Sequence, residues 1–348
     1  MDVDCGFAPV ERAIASGPIP GAAAAIGNLV DDRLACFGRT APDGPAVTPE
    51  TWYDLASLTK VLCTTPLVLH AIAGGYLDPH STLRELLPEV AWLQPTPNLG
   101  DATVLQLATH TSGLPAWQPL YTLGLDRPTL LARLLHIPLE RAPGSIVYSD
   151  LGFMLLGTIL ERVFEVPLEA QARILYARLG LEEHIGFSPP AGAPVAPTEV
   201  CPWRGWLLRG EVHDENAAAL GGVAGHAGLF ATLRGVCGYA RALLDGRLHP
   251  PAVVEYLSQE HAHAEPPETM RRGFGWSLTS PGWSGGDFVS HRSIGHTGFT
   301  GTGVWIDLER GQYTVLLSNR VHPSRHTSSG IEKLRRAFNH AAYTSHAW

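Results

Sequence analysis

The chain has 348 residues and carries 25 basic and 33 acidic side chains, a net charge of −8; it is 45% hydrophobic but only 17% charged. That composition provides a normal buried core under a sparsely charged surface, and the length suits two domains or one large domain with an insertion. An acidic chain with no basic run is a poor general binder of nucleic acid, because phosphate contacts need clustered Lys and Arg.

The first seventeen residues, MDVDCGFAPVERAIASG, lack a positive segment followed by an apolar one, so no secretory signal is expected. The longest apolar stretch, 61–72, is interrupted by Thr64, Thr65, Pro66 and His70. It is far short of the roughly 20 residues of a membrane span, so no membrane partner is expected. Five scattered cysteines without a CxxC support neither a disulfide framework nor a zinc–thiolate site. These features together predict a soluble, reduced, cytoplasmic protein.

In chain order, 21–30 and 33–38 read as two strands split by Asp31-Asp32. Apolar spacing predicts helices over 58–73, 104–108, 129–135, 151–164, 168–179 and 234–244, with Pro66 kinking the first. Pro/Gly-rich connectors at 187–197 and 281–287 separate elements of this middle region. The strongest hairpin signal is late: 301–308 and 312–319 flank Glu309-Arg310-Gly311, and a helix follows over 330–342. The expected fold is α+β. An antiparallel sheet is built from both chain ends (1–57 with 271–348), and a mainly helical region spans 58–270.

The basic residues are 23 Arg and only two Lys, Lys60 and Lys333. A Lys kept in so Arg-rich a chain marks a place where Arg will not serve, since Lys can give up its proton and Arg effectively cannot. Lys333 lies in a charged helical stretch. Lys60 lies in Ser57-Leu58-Thr59-Lys60, where i and i+3 share a helix face about 5–6 Å apart. A hydroxyl, a nearby amine and the positive field of a helix start are what an activated nucleophile needs; the plainer reading is a Ser that only starts a helix.

Tyr148-Ser149-Asp150 precedes a long apolar helix. Capping explains Asp150, but not Tyr148, whose phenol beside a lysine can relay protons. His296-Thr297-Gly298 leads into the late hairpin and reads either as a Gly-rich turn or as a strand edge along which substrate lies.

In this order the three segments resemble the serine β-lactamase and penicillin-binding protein superfamily, most of all its class C branch, which includes esterases and D,D-peptidases. LASLTKV, LQLATHTSGLP, PGSIVYSDLGFMLLG and VHDENAAALGGVAGHAGLFAT carry the likeness over about residues 20–320. The resemblance implies a β-lactamase/transpeptidase-like fold and one catalytic unit. It implies Ser57 as the acylated nucleophile, Lys60 as its base partner and Tyr148 as a helper in proton transfer. Thr297 and Gly298 would lie along the substrate, and the N–H groups of Ser57 and Phe299 would form the oxyanion hole. Two residues depart from the pattern: Asp150 stands for the usual Asn, and His296 for the usual Lys. Both are expected near substrate, and both disfavour a permanently bound carboxylate.

The expected function is a serine hydrolase working through an acyl-enzyme on an ester, a D-amino-acid peptide or a β-lactam, with no cofactor and no metal. The alternative is an inactive relative that binds a muropeptide-like ligand. Four decoys remain. Ser284 lies in GWSGG but lacks the strand–helix context of a nucleophile elbow. His213, Asp214, Glu215 and His226 read as a polar loop rather than a metal cluster. His261 and His263 read as solvated, and Trp203 and Trp206 either wall a cleft or pack against the helical region.

Overall fold

The structure is a computed structural model that describes residues 5–92, 98–264 and 270–345. Its central sheet starts with Gly21–Asn28 (β1) and Asp32–Gly38 (β2), paired antiparallel with Ala24 opposite Ala35. Strand β1, GAAAAIGN, is half alanine and carries only small residues and one Ile along its buried part, in keeping with cover on both faces. Ala23 and Ala25 point into the large core, while Ala22, Ala24 and Ile26 face a second core with Phe7, Val10, Leu334 and Phe338. That second core seats the helices Ala8–Ser16 and Ile331–Thr344, and the rings of Phe7 and Phe338 stack at 6.1 Å.

Three two-residue strands, Tyr53–Asp54 (β3), Ile185–Gly186 (β4) and Phe230–Ala231 (β5), form a small sheet in the order β3-β5-β4. The late strands are Ala262–His263 (β6), Arg271–Arg272 (β7), Ser277–Leu278 (β8), Ser293–Thr297 (β9), Gly303–Asp307 (β10) and Gln312–Ser318 (β11). With β1 and β2 they make an eight-stranded antiparallel sheet in the order β2-β1-β11-β10-β9-β8-β7-β6. The α+β architecture read from the sequence is therefore present, and the last strand lies beside the first because both ends of the chain enter one sheet.

The helices of the middle region fall close to the expected segments: Val104–Ala108, Arg127–Leu134, Asp150–Phe164, Leu168–Leu179 and Leu233–Leu244. Among the described residues, no helix is long and apolar enough to cross a membrane. The first expected helix differs in kind. Lys60–Thr64 is a π-helical turn, and the α-helix Thr65–Ala73 follows with Pro66 near its start. Pro66 has no N–H to give. It would serve the Val61 carbonyl in the i→i+5 pattern and the Leu62 carbonyl in the i→i+4 pattern. Two buried phenols take its place: the Tyr239 hydroxyl donates to Val61 O at 2.8 Å, and the Tyr176 hydroxyl to Leu62 O at 3.1 Å. The proline thus changes the helix register instead of merely bending it.

Candidate active site

Ser57 sits where β3 gives way to this helix. The turn is tight: Ala56 adopts a positive φ of 46°, and Leu58, Thr59 and Lys60 donate to carbonyls three residues back. A non-glycine residue in that region is strained and has to be held. The buried Asp54 carboxylate holds it by accepting the Ala56 N–H at 2.7 Å, and it also accepts the His213 N–H at 2.6 Å. Burial pushes the Asp54 carboxyl up, against the pull of His213.

Lys60 is fully buried, and its Nζ reaches Ser57 Oγ at 2.9 Å, Asp150 Oδ1 at 2.6 Å and the His226 carbonyl at 3.4 Å. Burial alone would favour the neutral amine, but Asp150, and after it Tyr148, outweigh it and raise the lysine above its ordinary value. The group is an ammonium in an ion pair with Asp150, whose side chain is 18% exposed. Asp150 opens the helix Asp150–Phe164, and Ser149 is its N-cap, accepting from the Gly152 N–H. Both roles of the motif coexist because Ser149 caps, which leaves the Asp150 carboxylate free to turn to Lys60.

Tyr148 faces the same centre. The Lys60 Nζ lies 4.8 Å from its ring centroid, and the rings of His110 and His296 lie 4.6 and 5.8 Å away. His296 is buried. Burial first, then Lys60 and Arg272, hold it well below the ordinary histidine range, so it is neutral at pH 7. Thr297 ends β9, and its carbonyl contacts the His296 ring at 3.0 Å. Gly298 is required by close approach: a Cβ there would stand 2.1 Å from Thr302 Oγ1 and 2.4 Å from the Leu55 carbonyl. The turn that carries Phe299 is lashed to the strand before Ser57, since Thr300 Oγ1 donates to Asp54 O at 2.7 Å and Thr302 Oγ1 to Leu55 O at 3.1 Å. Phe299 itself is half-exposed and lies under the Arg320 guanidinium at 4.3 Å.

The fold therefore gathers Ser57, Lys60, Tyr148, Asp150 and His296 around one centre, and ties the Gly298–Phe299 turn beside it. It also gathers residues that motif reading missed. His110, at φ 62°, accepts the Ser149 N–H on Nδ1 at 3.0 Å and is kept neutral mainly by burial. Arg272 on β7 is buried, 5.5 Å over the Tyr148 ring, bonded to Ser277 Oγ at 2.6 Å, and without a carboxylate partner among the described residues. Its only sequence signal was a pair of arginines after a Pro/Glu-rich loop.

The decoys resolve into structural parts. Ser284 Oγ accepts the Trp305 indole N–H at 3.0 Å. The four polar loop residues do not converge: His213 bonds Glu199 at 2.7 Å, His226 bonds Asp214 at 2.9 Å, and Glu215 pairs with Arg325 at 2.5 Å. That loop instead clasps the helix that follows Ser57, with Gly225 O accepting from Thr64 Oγ1 at 2.6 Å and the Leu229 N–H donating to Thr59 Oγ1 at 3.1 Å. His263 is exposed and paired with Glu260, whereas the His261 ring packs on Tyr256 and Phe274, because β6 draws it into the sheet edge. Trp203 and Trp206 are half-exposed and line a cavity of about 700 Å³ with Phe187 and Val212.

A profile of the beta-lactamase family matches residues 9–337. A Salmonella paratyphi A protein provisionally named D-alanyl-D-alanine carboxypeptidase is 30% identical over 314 residues, covering 79% of this chain and 71% of its own. Among solved structures, simvastatin synthase from Aspergillus terreus superposes with a TM-score of 0.77 at 21% identity over 99% of each chain. EstCE1, a hydrolase with promiscuous acyltransferase activity, superposes with a TM-score of 0.78 at 20% identity over 98% of each chain. These two likenesses are of fold.

Proposed function

The chain belongs to the beta-lactamase family, and from that premise we propose that it is a serine hydrolase that forms an acyl-enzyme on Ser57. The 2.9 Å contact between Ser57 Oγ and the buried Lys60 Nζ carries this reading, because it couples a hydroxyl to a proton-carrying amine at a helix start. Ser57 Oγ attacks the acyl carbon of the substrate. The N–H groups of Ser57 and Phe299 stabilise the oxyanion. Lys60 and Tyr148 move the proton from Ser57 to the leaving alcohol or amine, and water then releases the acid. Thr297 and Gly298 form the edge along which the substrate lies.

The substrate is an ester or an amide. The name of the Salmonella relative supports a D-alanyl peptide, and EstCE1 supports an ester. A neutral His296 offers no fixed charge to a carboxylate and favours the ester over a penicillin. Intact-mass detection of the acyl-enzyme across a penicillin, a D-Ala-D-Ala peptide and a short p-nitrophenyl ester tests the reading. An adduct that vanishes in Ser57→Ala is expected. No adduct with any of the three overturns it and leaves a ligand-binding protein.

A further inference from the structure

Lys60 in its resting state cannot take a proton. Its three N–H groups point at Asp150 Oδ1, Ser57 Oγ and the His226 carbonyl, at 2.6, 2.9 and 3.4 Å, and an ammonium has no lone pair. Asp150 stands where the family resemblance places Asn. An amide oxygen can hold the lysine but cannot keep its proton; a carboxylate can do both. The pair is also sheltered, with Lys60 fully buried and the Asp150 side chain 18% exposed. Burial penalises separated charges, so the neutral amine–acid pair lies closer in energy to the ion pair than it would in water.

We propose that Asp150 is the temporary holder of the lysine proton, the group that lets Lys60 serve as the base for Ser57. This rests on the reading of Ser57 as nucleophile. Lys60 passes one N–H proton to Asp150 Oδ1, and its freed lone pair takes the Ser57 hydroxyl proton as Oγ bonds to the acyl carbon. The start is ammonium, carboxylate and hydroxyl. The end is ammonium, carboxylic acid and a tetrahedral adduct with its negative charge on the former carbonyl oxygen. No proton enters or leaves. On collapse, Lys60 protonates the leaving oxygen or nitrogen and recovers its proton from Asp150, which restores the pair.

Other groups around the lysine do not offer this route. The His226 ring is turned to Asp214, and the His110 and His296 rings are engaged by the Ser149 N–H and the Thr297 carbonyl. Tyr148 meets Nζ with its ring and hydrogen-bonds the lysine through its side chain, but a hydroxyl oxygen is a far poorer proton acceptor than a carboxylate, and Arg272 is a cation on the far strand β7. Asp150 is the carboxylate that bonds the ammonium.

The test is single-turnover acylation by p-nitrophenyl butyrate from pH 6 to 9 in the parent, Asp150→Asn and Asp150→Glu. The parent should be nearly flat, because the proton moves inside the pair. In Asp150→Asn the lysine must lose its proton to solvent, so the rate should climb with pH and lie at least about tenfold below the parent at pH 6. Asp150→Glu should be slower than the parent yet keep the flat profile. Parallel profiles for Asp150→Asn and the parent overturn the proposal. Should Asp150→Asn not fold, the proton inventory of parent acylation in mixed light and heavy water decides it: two protons in flight give a curve, and a straight line overturns the proposal. A parent that forms no acyl-enzyme removes the Ser57 reading itself, whereas an acyl-enzyme with parallel profiles removes only the role of Asp150.

Discussion

Replacing Tyr239 by Phe removes one hydroxyl from the back of the helix that follows Ser57 and nothing else. That hydroxyl donates to the Val61 carbonyl at 2.8 Å, with both residues fully buried. Burial keeps the phenol well above its ordinary range, so it remains a donor at any working pH. The substitution conserves the ring, so it opens almost no cavity. Its cost is the orphaned carbonyl, about 1–3 kcal/mol for a buried group left unsatisfied. The carbonyl lacks a backbone partner because Pro66 has no N–H, and this supplies an internal control. Pro66→Ala restores a donor in the same turn, so on that background Tyr239→Phe should cost less than about 1 kcal/mol, a coupling typical of residues sharing one network. Urea denaturation of the parent, both single variants and the double variant, followed by circular dichroism, gives the cycle. A Tyr239→Phe cost below about 0.5 kcal/mol, within the range of ordinary surface changes, refutes the argument. So does an equal cost on both backgrounds.

The other expectations concern the site and its scaffold. A fluorophosphonate probe should label the parent and Ser284→Ala but not Ser57→Ala, since Ser284 is committed to Trp305; labelling of Ser57→Ala at the parent level would remove the nucleophile. Lys60→Arg should acylate at least about a hundredfold more slowly than the parent, because a guanidinium does not surrender a proton; a single-turnover rate within tenfold would show that only the charge matters. Burial pushes the Glu199 carboxyl up, but bonds from His213 and Arg325 outweigh it and hold it at about 2, against an ordinary 4.5. A depressed carboxyl contributes stability that is complete above the ordinary value and is lost as pH falls towards the folded one. The melting temperature of Glu199→Gln should therefore fall less steeply than that of the parent between pH 4.5 and 2; identical slopes would show that the His213–Glu199–Arg325 cluster does not act as a paired unit.

Much of this protein is legible in its sequence where the signal is local. The π turn of Lys60–Thr64 and the π-to-α change at Thr65 were visible only as a misplaced proline, because the two donors that repair it, Tyr176 and Tyr239, lie more than a hundred residues away. Asp150 was read as a substrate-side residue from its motif, and its commitment to Lys60 emerged only when the helix start was brought against the lysine.

By itself the sequence determined most of the elements and the family. Apolar spacing set the helices, β-branched and small residues set the strands, and one of only two lysines, three residues after Ser57, marked the candidate pair, all of them properties of neighbours along the chain. The tertiary structure alone decided the company those residues keep. The ion pair of Lys60 with Asp150, the neutrality of His296, the buried cation of Arg272 behind Tyr148 and the clasp of the 212–229 loop each depend on burial and on contacts between distant segments. Charge states in a site follow desolvation and partner distance, and neither quantity exists until the chain has closed its sheet from both ends.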